Sequence, residues 1–238
     1  MLIDKDLCIG CKTCIPYCPM GCIEYKDGQC KIILDECVEC SICLKNSGCP
    51  TNAFKEGDLD ELRVLRKQFS NPLITHPKTG VPGRGTEEMK TNEVTGRFKR
   101  GYAGIAIELG RPGTGTRFYD VEKVAKAVSE FNVEFEEHNP VTKLIVDTKT
   151  GEIDKKYINL KTLSAIVEFS VKDDMVVPIL KRIKEVSKEL DTVFSLDLCA
   201  RTDVNGKSLT EAWAKEAGYD AYINGKVNVG LGRPLKGD

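Results

Sequence analysis

Eight cysteines fall into two runs, Cys8-x2-Cys11-x2-Cys14-x3-Cys18-Pro19 and Cys37-x2-Cys40-x2-Cys43-x5-Cys49-Pro50. Three thiolates at two-residue gaps let one backbone loop wrap an iron–sulfur cubane, each reaching a different iron, while the fourth iron takes a thiolate from farther away. In runs of this kind the remote cysteine serves the other cluster. That groups Cys8, Cys11, Cys14 and Cys49 on one site, and Cys37, Cys40, Cys43 and Cys18 on a second. The pattern therefore asks for two [4Fe-4S] clusters. Pro19 and Pro50 turn the chain after each remote ligand, because the ring fixes φ and removes an amide donor.

Even cysteine counts and Cys-x2-Cys spacing also occur in disulfide frameworks and zinc sites. Zinc sites seldom use three cysteines at successive two-residue gaps. A disulfide scaffold calls for an export signal, and MLIDKDLC runs into the first motif without an apolar stretch. Ten of the eleven cysteines lie between Cys8 and Cys49, the other being Cys199, so the demand for sulfur is local.

Through the duplicated Cys-x2-Cys-x2-Cys and Cys-Pro elements, about residues 1–55 resemble the bacterial-type 2[4Fe-4S] ferredoxins. The resemblance implies a pseudo-two-fold arrangement of small hairpins and short helical turns, clusters close enough for rapid electron exchange, low potentials and an anaerobic cytoplasm. The second run departs from the usual pattern by placing five residues, LKNSG, between Cys43 and Cys49. The expectation there is a bulging loop beside the first cluster. Cys22 stands where the family usually has a small residue against a cluster. Cys22 and Cys30 read as buried small hydrophobes, and a third metal site would need more ligands than these two supply.

The chain of 238 residues has room for two modest domains, giving an α+β protein. Charges nearly cancel, 35 Lys+Arg against 36 Asp+Glu for a formal net charge of −1. That excludes a strongly basic nucleic-acid binder and a polyanionic tail. No apolar stretch is long enough to span a membrane, so a cytoplasmic protein is expected.

Residues 1–69 form the expected dicluster domain, closed by an amphipathic helix in GDLDELRVLRKQF, where Leu59, Leu62, Leu65 and Phe69 recur at helical spacing. That helix either closes the cluster domain or packs on the next one. Residues 70–101 are rich in Gly, Pro and basic side chains and read as an arm that docks on a partner, or as a linker.

From 102 to 238 the patterning predicts strands in YAGIAIEL, NVEFEEH, TKLIVD, LSAIVEFSV and TVFSLDLCA, and helices in DVEKVAKAVSEF and DDMVVPILKRIKEVSKEL. This is a βαββαβ order with an additional ribbon, expected to fold as a ferredoxin-like (split βαβ) antiparallel-sheet sandwich with a Gly-rich tail. Pro178 is placed in the first turn of its helix, and Cys199 in a buried strand. Ser208 and Glu211 form a candidate capping box. LGRP occurs at 109–112 and 231–234, and turn chemistry accounts for it better than phosphate binding does.

No residue outside the eight cysteines suggests catalysis. There are two histidines, His76 and His138, no nucleophile–base motif and no flavin or nicotinamide fingerprint. The expected function is an electron-transfer subunit that relays single low-potential electrons to or from a catalytic oxidoreductase partner. Partner classes are flavoproteins, tungsten- or molybdenum-dependent oxidoreductases and CoA-ester reductases. Alternatives are a ferredoxin fused to an ACT-like small-molecule-sensing domain, and a self-contained iron–sulfur oxidoreductase with a cofactor near 102–117 or 225–235.

Overall fold

The computed structural model describes residues 1–77, 80 and 99–222. Most of the basic 70–101 arm and the second LGRP lie outside the described residues. Among those described, no helix is long and apolar enough to cross a membrane.

The N-terminal half is built from two small antiparallel ribbons. β1 (Leu2–Ile3) pairs with β4 (Phe54–Lys55), and β2 (Ile23–Lys26) with β3 (Gln29–Ile32). Asp27 and Gly28 close the second ribbon with φ of 54° and 83°, the paired positive values of a tight hairpin turn, which Asp-Gly adopts readily. α1 (Ile42–Asn46) follows Ser41. The LKNSG segment is therefore not a bulging loop: its first three residues complete α1, and Gly48, at φ 61°, turns the chain into Cys49.

α2 (Glu61–Ser70) starts where the Asp60 carboxylate accepts a hydrogen bond from the Arg63 amide at 2.8 Å. It serves both halves. Arg63 and Arg66 reach back to the cysteine loops, whereas Phe69, fully buried, stacks edge-on against Phe118 at 5.2 Å in the core of the second half.

The C-terminal half begins with β5 (Tyr102–Leu109) and β6 (Thr116–Arg117), followed by α3 (Phe118–Ser129) and β7 (Glu134–Phe135). β8 (Ile145–Asp147), β9 (Glu152–Ile153) and β10 (Lys161–Thr162) lead to β11 (Ala165–Lys172), α4 (Asp173–Val186), β12 (Phe194–Ala200) and α5 (Thr210–Glu216). The main sheet has the order β12-β5-β11-β7, and every neighbouring pair is antiparallel. Alternation puts Ile105, Ile107 and Leu109 of β5, and Val167, Phe169 and Val171 of β11, on one face. Residues at helical spacing on α3 (Val121, Val124, Val128) and α4 (Val176, Ile179, Leu180, Ile183) cover that face.

Several expectations are corrected here. NVEFEEH contributes only the short β7, and TKLIVD supplies the additional ribbon, β8 paired with β9, outside the main sheet. Pro178 lies in the second turn of α4, because the helix already starts at Asp173. It therefore removes an interior hydrogen bond to the Asp174 carbonyl. At α5 the Ser208 hydroxyl meets the Thr210 hydroxyl at 2.8 Å and accepts from the Thr210 amide at 3.4 Å, but among the described residues Glu211 does not reach back to complete a capping box. Cys199 is half-buried on β12 rather than fully buried.

Beyond the shared helix, ion pairs join the halves. Arg117 binds Asp35 (2.9 Å) and Glu36 (2.6 Å), and Lys161 also pairs with Glu36. The hydrogen bond from Lys161, with Arg117 beside it, holds the Glu36 carboxyl below its ordinary value of 4.5. A depressed folded-state pKa means that this contribution is complete above the unfolded value and disappears as the pH falls through the folded one. Melting temperature is therefore expected to drop on acidification below about pH 4.5, and Glu36→Gln to flatten that dependence. Thermal melts of both proteins at a series of pH values check this.

Candidate metal centre

Each cysteine run is shaped by left-handed residues at matching places. Gly10 and Lys12 (φ 68° and 65°) follow Cys8 and Cys11, as Glu39 and Ser41 (φ 60° and 63°) follow Cys37 and Cys40. These reversals bend each loop so that successive thiols turn to one side instead of alternating. At Gly10 the conformation is also enforced by crowding, since a Cβ would run into the Gly28 carbonyl oxygen. Gly10→Ala is expected to cost roughly 1–3 kcal/mol and to lower bound iron. Denaturant unfolding and iron assay of the same preparation read both effects.

Two cavities result. The first is lined by Cys8, Cys11, Cys14 and Cys49, with Ile3, Ile9, Thr13, Thr51 and Phe54 around them. The second is lined by Cys18, Cys37, Cys40 and Cys43, with Met1, Met20, Ile32 and Glu39. In each, three cysteines come from one run and one is the remote cysteine of the other, and a fifth, Cys30 in the first and Cys22 in the second, also lines the wall. The thiols ring a space instead of meeting at a point. Among the described residues no group of three or more His, Cys, Asp or Glu side chains is arranged to hold a single metal ion.

Four thiols on an apolar wall suit an iron–sulfur cubane, and backbone donors are in place for the sulfurs. The amides of Cys22, Cys30 and Ala53 point at the Sγ atoms of Cys18, Cys8 and Cys49, each at 3.4 Å. Cys22 and Ala53 stand four residues after Cys18 and Cys49, so two of these donors occupy equivalent places. Hydrogen bonds, first from the Cys22 thiol and then from backbone amides, bring the Cys18 thiol down to about 6. Burial pushes Cys14 and Cys43 up to about 12. A thiol held that high loses its proton to a coordinated metal rather than to water.

Cys22 and Cys30 are buried, each against a different cavity. The sites differ in their surroundings. Cys11 is exposed and its neighbour Ile9 is 65% exposed, whereas Cys37 is buried. The loop before Cys37 is clamped by Arg66, whose Nη1 donates to the carbonyls of Leu34, Asp35 and Cys37 at 2.9, 2.8 and 3.1 Å. Glu39, buried on the same site, pairs with Arg63, whose Nε lies 3.0 Å away. Sequence reading placed Arg63, Arg66 and Lys67 between the apolar positions of the helix without assigning them partners. The available signal was that Arg63 and Arg66, three residues apart, share a helix face.

Two wider, open clefts lie on the C-terminal half, of about 660 Å³ against α4 and α5 and about 420 Å³ at the 110–113 turn. Neither contains a cysteine.

The cysteine loops, the paired ribbons and the sulfur-directed amides define the class of iron–sulfur electron carriers. A family model described as a 4Fe-4S binding domain matches residues 1–24. A ferredoxin of Moorella thermoacetica is 41% identical over 58 residues, which is 23% of this chain and 92% of that protein. Through this N-terminal part the chain belongs to the 4Fe-4S ferredoxin family.

It is also similar to pyruvate synthase subunit PorD of Methanothermobacter marburgensis, 45% identical over 53 residues, or 22% of this chain and 59% of that one. The thiosulfate reductase electron transfer subunit PhsB of Salmonella typhi is 35% identical over 72 residues, 27% of this chain and 36% of that one. The chain thus spans about three fifths of the length of the pyruvate synthase subunits it matches. No solved structure shows a significant match.

Proposed function

We propose that the chain holds two [4Fe-4S] clusters, one on Cys8, Cys11, Cys14 and Cys49 and one on Cys37, Cys40, Cys43 and Cys18, and relays single electrons to or from a catalytic oxidoreductase partner. One observation carries this reading: each of two cavities is lined by three thiols of one run and the remote thiol of the other, with a fifth cysteine, Cys30 or Cys22, on its wall. The clusters supply one-electron chemistry when bound. The chain's own part is to supply thiolates, to point amides at their sulfurs and to keep water from the Cys37 site.

The domain division follows from this reading, with residues 1–69 as the dicluster unit, 70–101 as an arm and 102–238 as the unit that holds the partner. The strand order β12-β5-β11-β7, with α3 and α4 on one face, supports reading the last unit as a split βαβ sandwich. The names of the relatives, subunits of pyruvate synthase and of thiosulfate reductase, favour a partner that carries the catalytic site. A reducing compartment such as the cytoplasm suits eight uncrosslinked thiols.

The test is anaerobic affinity purification from the native cell, with iron, sulfide, tungsten, molybdenum and flavin assayed on what co-elutes. About eight irons per chain and a stoichiometric larger subunit are the expected result. Recovery of the chain alone refutes the subunit role, and iron near zero refutes the clusters.

A further inference from the structure

Arg66 is a charge that the two cysteine sites do not share. Its side chain is about nine-tenths buried, and its Nη1 donates to the carbonyl of Cys37 itself. Its Nε is buried with no hydrogen-bond partner among the described residues. The carboxylate beside it, Asp35 at 3.4 Å, is 70% exposed and is shared with Arg117 at 2.9 Å, so it offsets only part of the Arg66 charge. A guanidinium does not lose its proton. A full positive charge therefore stands against a ligand loop, balanced mainly by carbonyl dipoles.

Glu39, the acid on the same cavity, is shared between Arg63 and the buried N-terminal ammonium of Met1, so the three together offset none of the Arg66 charge and add to the positive potential on this side. Among the described residues the Cys8 site has no counterpart. The side chains lining it with the cysteines are apolar or hydroxyl-bearing, and Lys12 on its loop is exposed, with its ammonium 4.0 Å over the Tyr25 ring.

We propose that Arg66 sets the reduction potential of the cluster on Cys18, Cys37, Cys40 and Cys43, raising it while leaving the other cluster's potential where it is. The inference rests on the two-cluster reading. Reduction brings one electron to a cluster, adding one negative charge without moving a proton or breaking a bond. A fixed cation close by, in a medium that water does not screen, stabilises the reduced form more than the oxidised one. An electron delivered to the chain therefore settles at the Cys37 site, on the side that meets the C-terminal half.

The experiment is an anaerobic redox titration of the full chain, followed by electron paramagnetic resonance. Two one-electron waves are expected in the unaltered protein. In Arg66→Met one wave falls so that the electron's distribution between the sites changes tenfold or more, equivalent to about 59 mV for a one-electron couple. Arg66→Lys, which keeps the charge, recovers most of the shift. Asp35→Asn, at an exposed position, guards against an Arg66→Met chain that fails to fold, and it moves the same wave upward. Two waves unmoved by these changes, or falling together by equal amounts, overturn the role of Arg66 and leave two clusters standing. A single wave in the unaltered protein, with about four irons, overturns the two-cluster reading and the proposal with it.

Discussion

On the proposed two-cluster reading, Cys49→Ala is expected to abolish the cluster on the Cys8 run and to spare the one on the Cys37 run, although Cys49 lies only six residues after Cys43 in sequence. The reason is spatial: Cys49 lines the cavity of Cys8, Cys11 and Cys14, and the Ala53 amide that points at its sulfur belongs to the same wall. Bound iron should fall from about eight to about four per chain, and the surviving paramagnetic signal should match that of Cys8→Ala rather than that of Cys40→Ala. If Cys49→Ala instead behaves like Cys40→Ala, the ligands do not cross between runs. The mirror experiment at Cys18 needs a second change, because the Cys22 thiol lies 3.3 Å from the Cys18 sulfur and is placed to replace it. The double variant Cys18→Ala with Cys22→Ala is expected to lose the Cys37-run cluster cleanly.

The second large effect is expected far from any cysteine. Phe69→Ala removes a ring with no exposed surface, leaving a hole against Phe118 and His76 in the core of the C-terminal half. Deleting a fully buried phenylalanine typically costs about 3–5 kcal/mol. Because α2 also carries Arg63 and Arg66 into the cysteine loops, loosening its C-terminal end should be felt at both ends of the chain. Denaturant unfolding followed by the fluorescence of Trp213, which packs on that core, and by cluster absorbance should show both transitions moving to lower denaturant. Val64→Ala, on the exposed side of the same helix, is the comparison and should stay within about 0.5 kcal/mol of the unaltered protein. A cluster transition that does not move in Phe69→Ala would show that the helix does not couple the halves.

Much of this organisation was legible in the residues. Thiol spacing is a local, strongly constrained signal, and the cysteines it groups lie along two cavities, although Cys22 and Cys30 line them too and spacing alone did not place those. The long strands and helices were legible because their apolar periods run for two or more turns or pleats, as in YAGIAIEL and LSAIVEFSV. Short elements were not, because a few residues carry too little periodicity: NVEFEEH looked like a full strand yet pairs over two residues. LKNSG read as a loop because the comparison with other runs counts residues and says nothing of their conformation. The roles of Arg66 and Glu36 were invisible for another reason. Each depends on a partner more than twenty-five residues away, and a single sequence does not reveal which distant carbonyl or ammonium a long charged side chain will meet.

The shared helix also separates ancestry from cooperativity. The match to the 4Fe-4S family model ends well before α2, and the ferredoxin likeness covers 23% of the chain, so the cluster module is a portable cassette. Phe69 and Ser70 then weld that cassette to its neighbour, the Ser70 hydroxyl accepting a hydrogen bond from the Leu163 amide at 3.0 Å. A cut at the compositional boundary near residue 70 would strand a bare aromatic ring on one fragment and an unfilled slot on the other. The seam visible in the sequence is therefore a poor place to divide the folded chain.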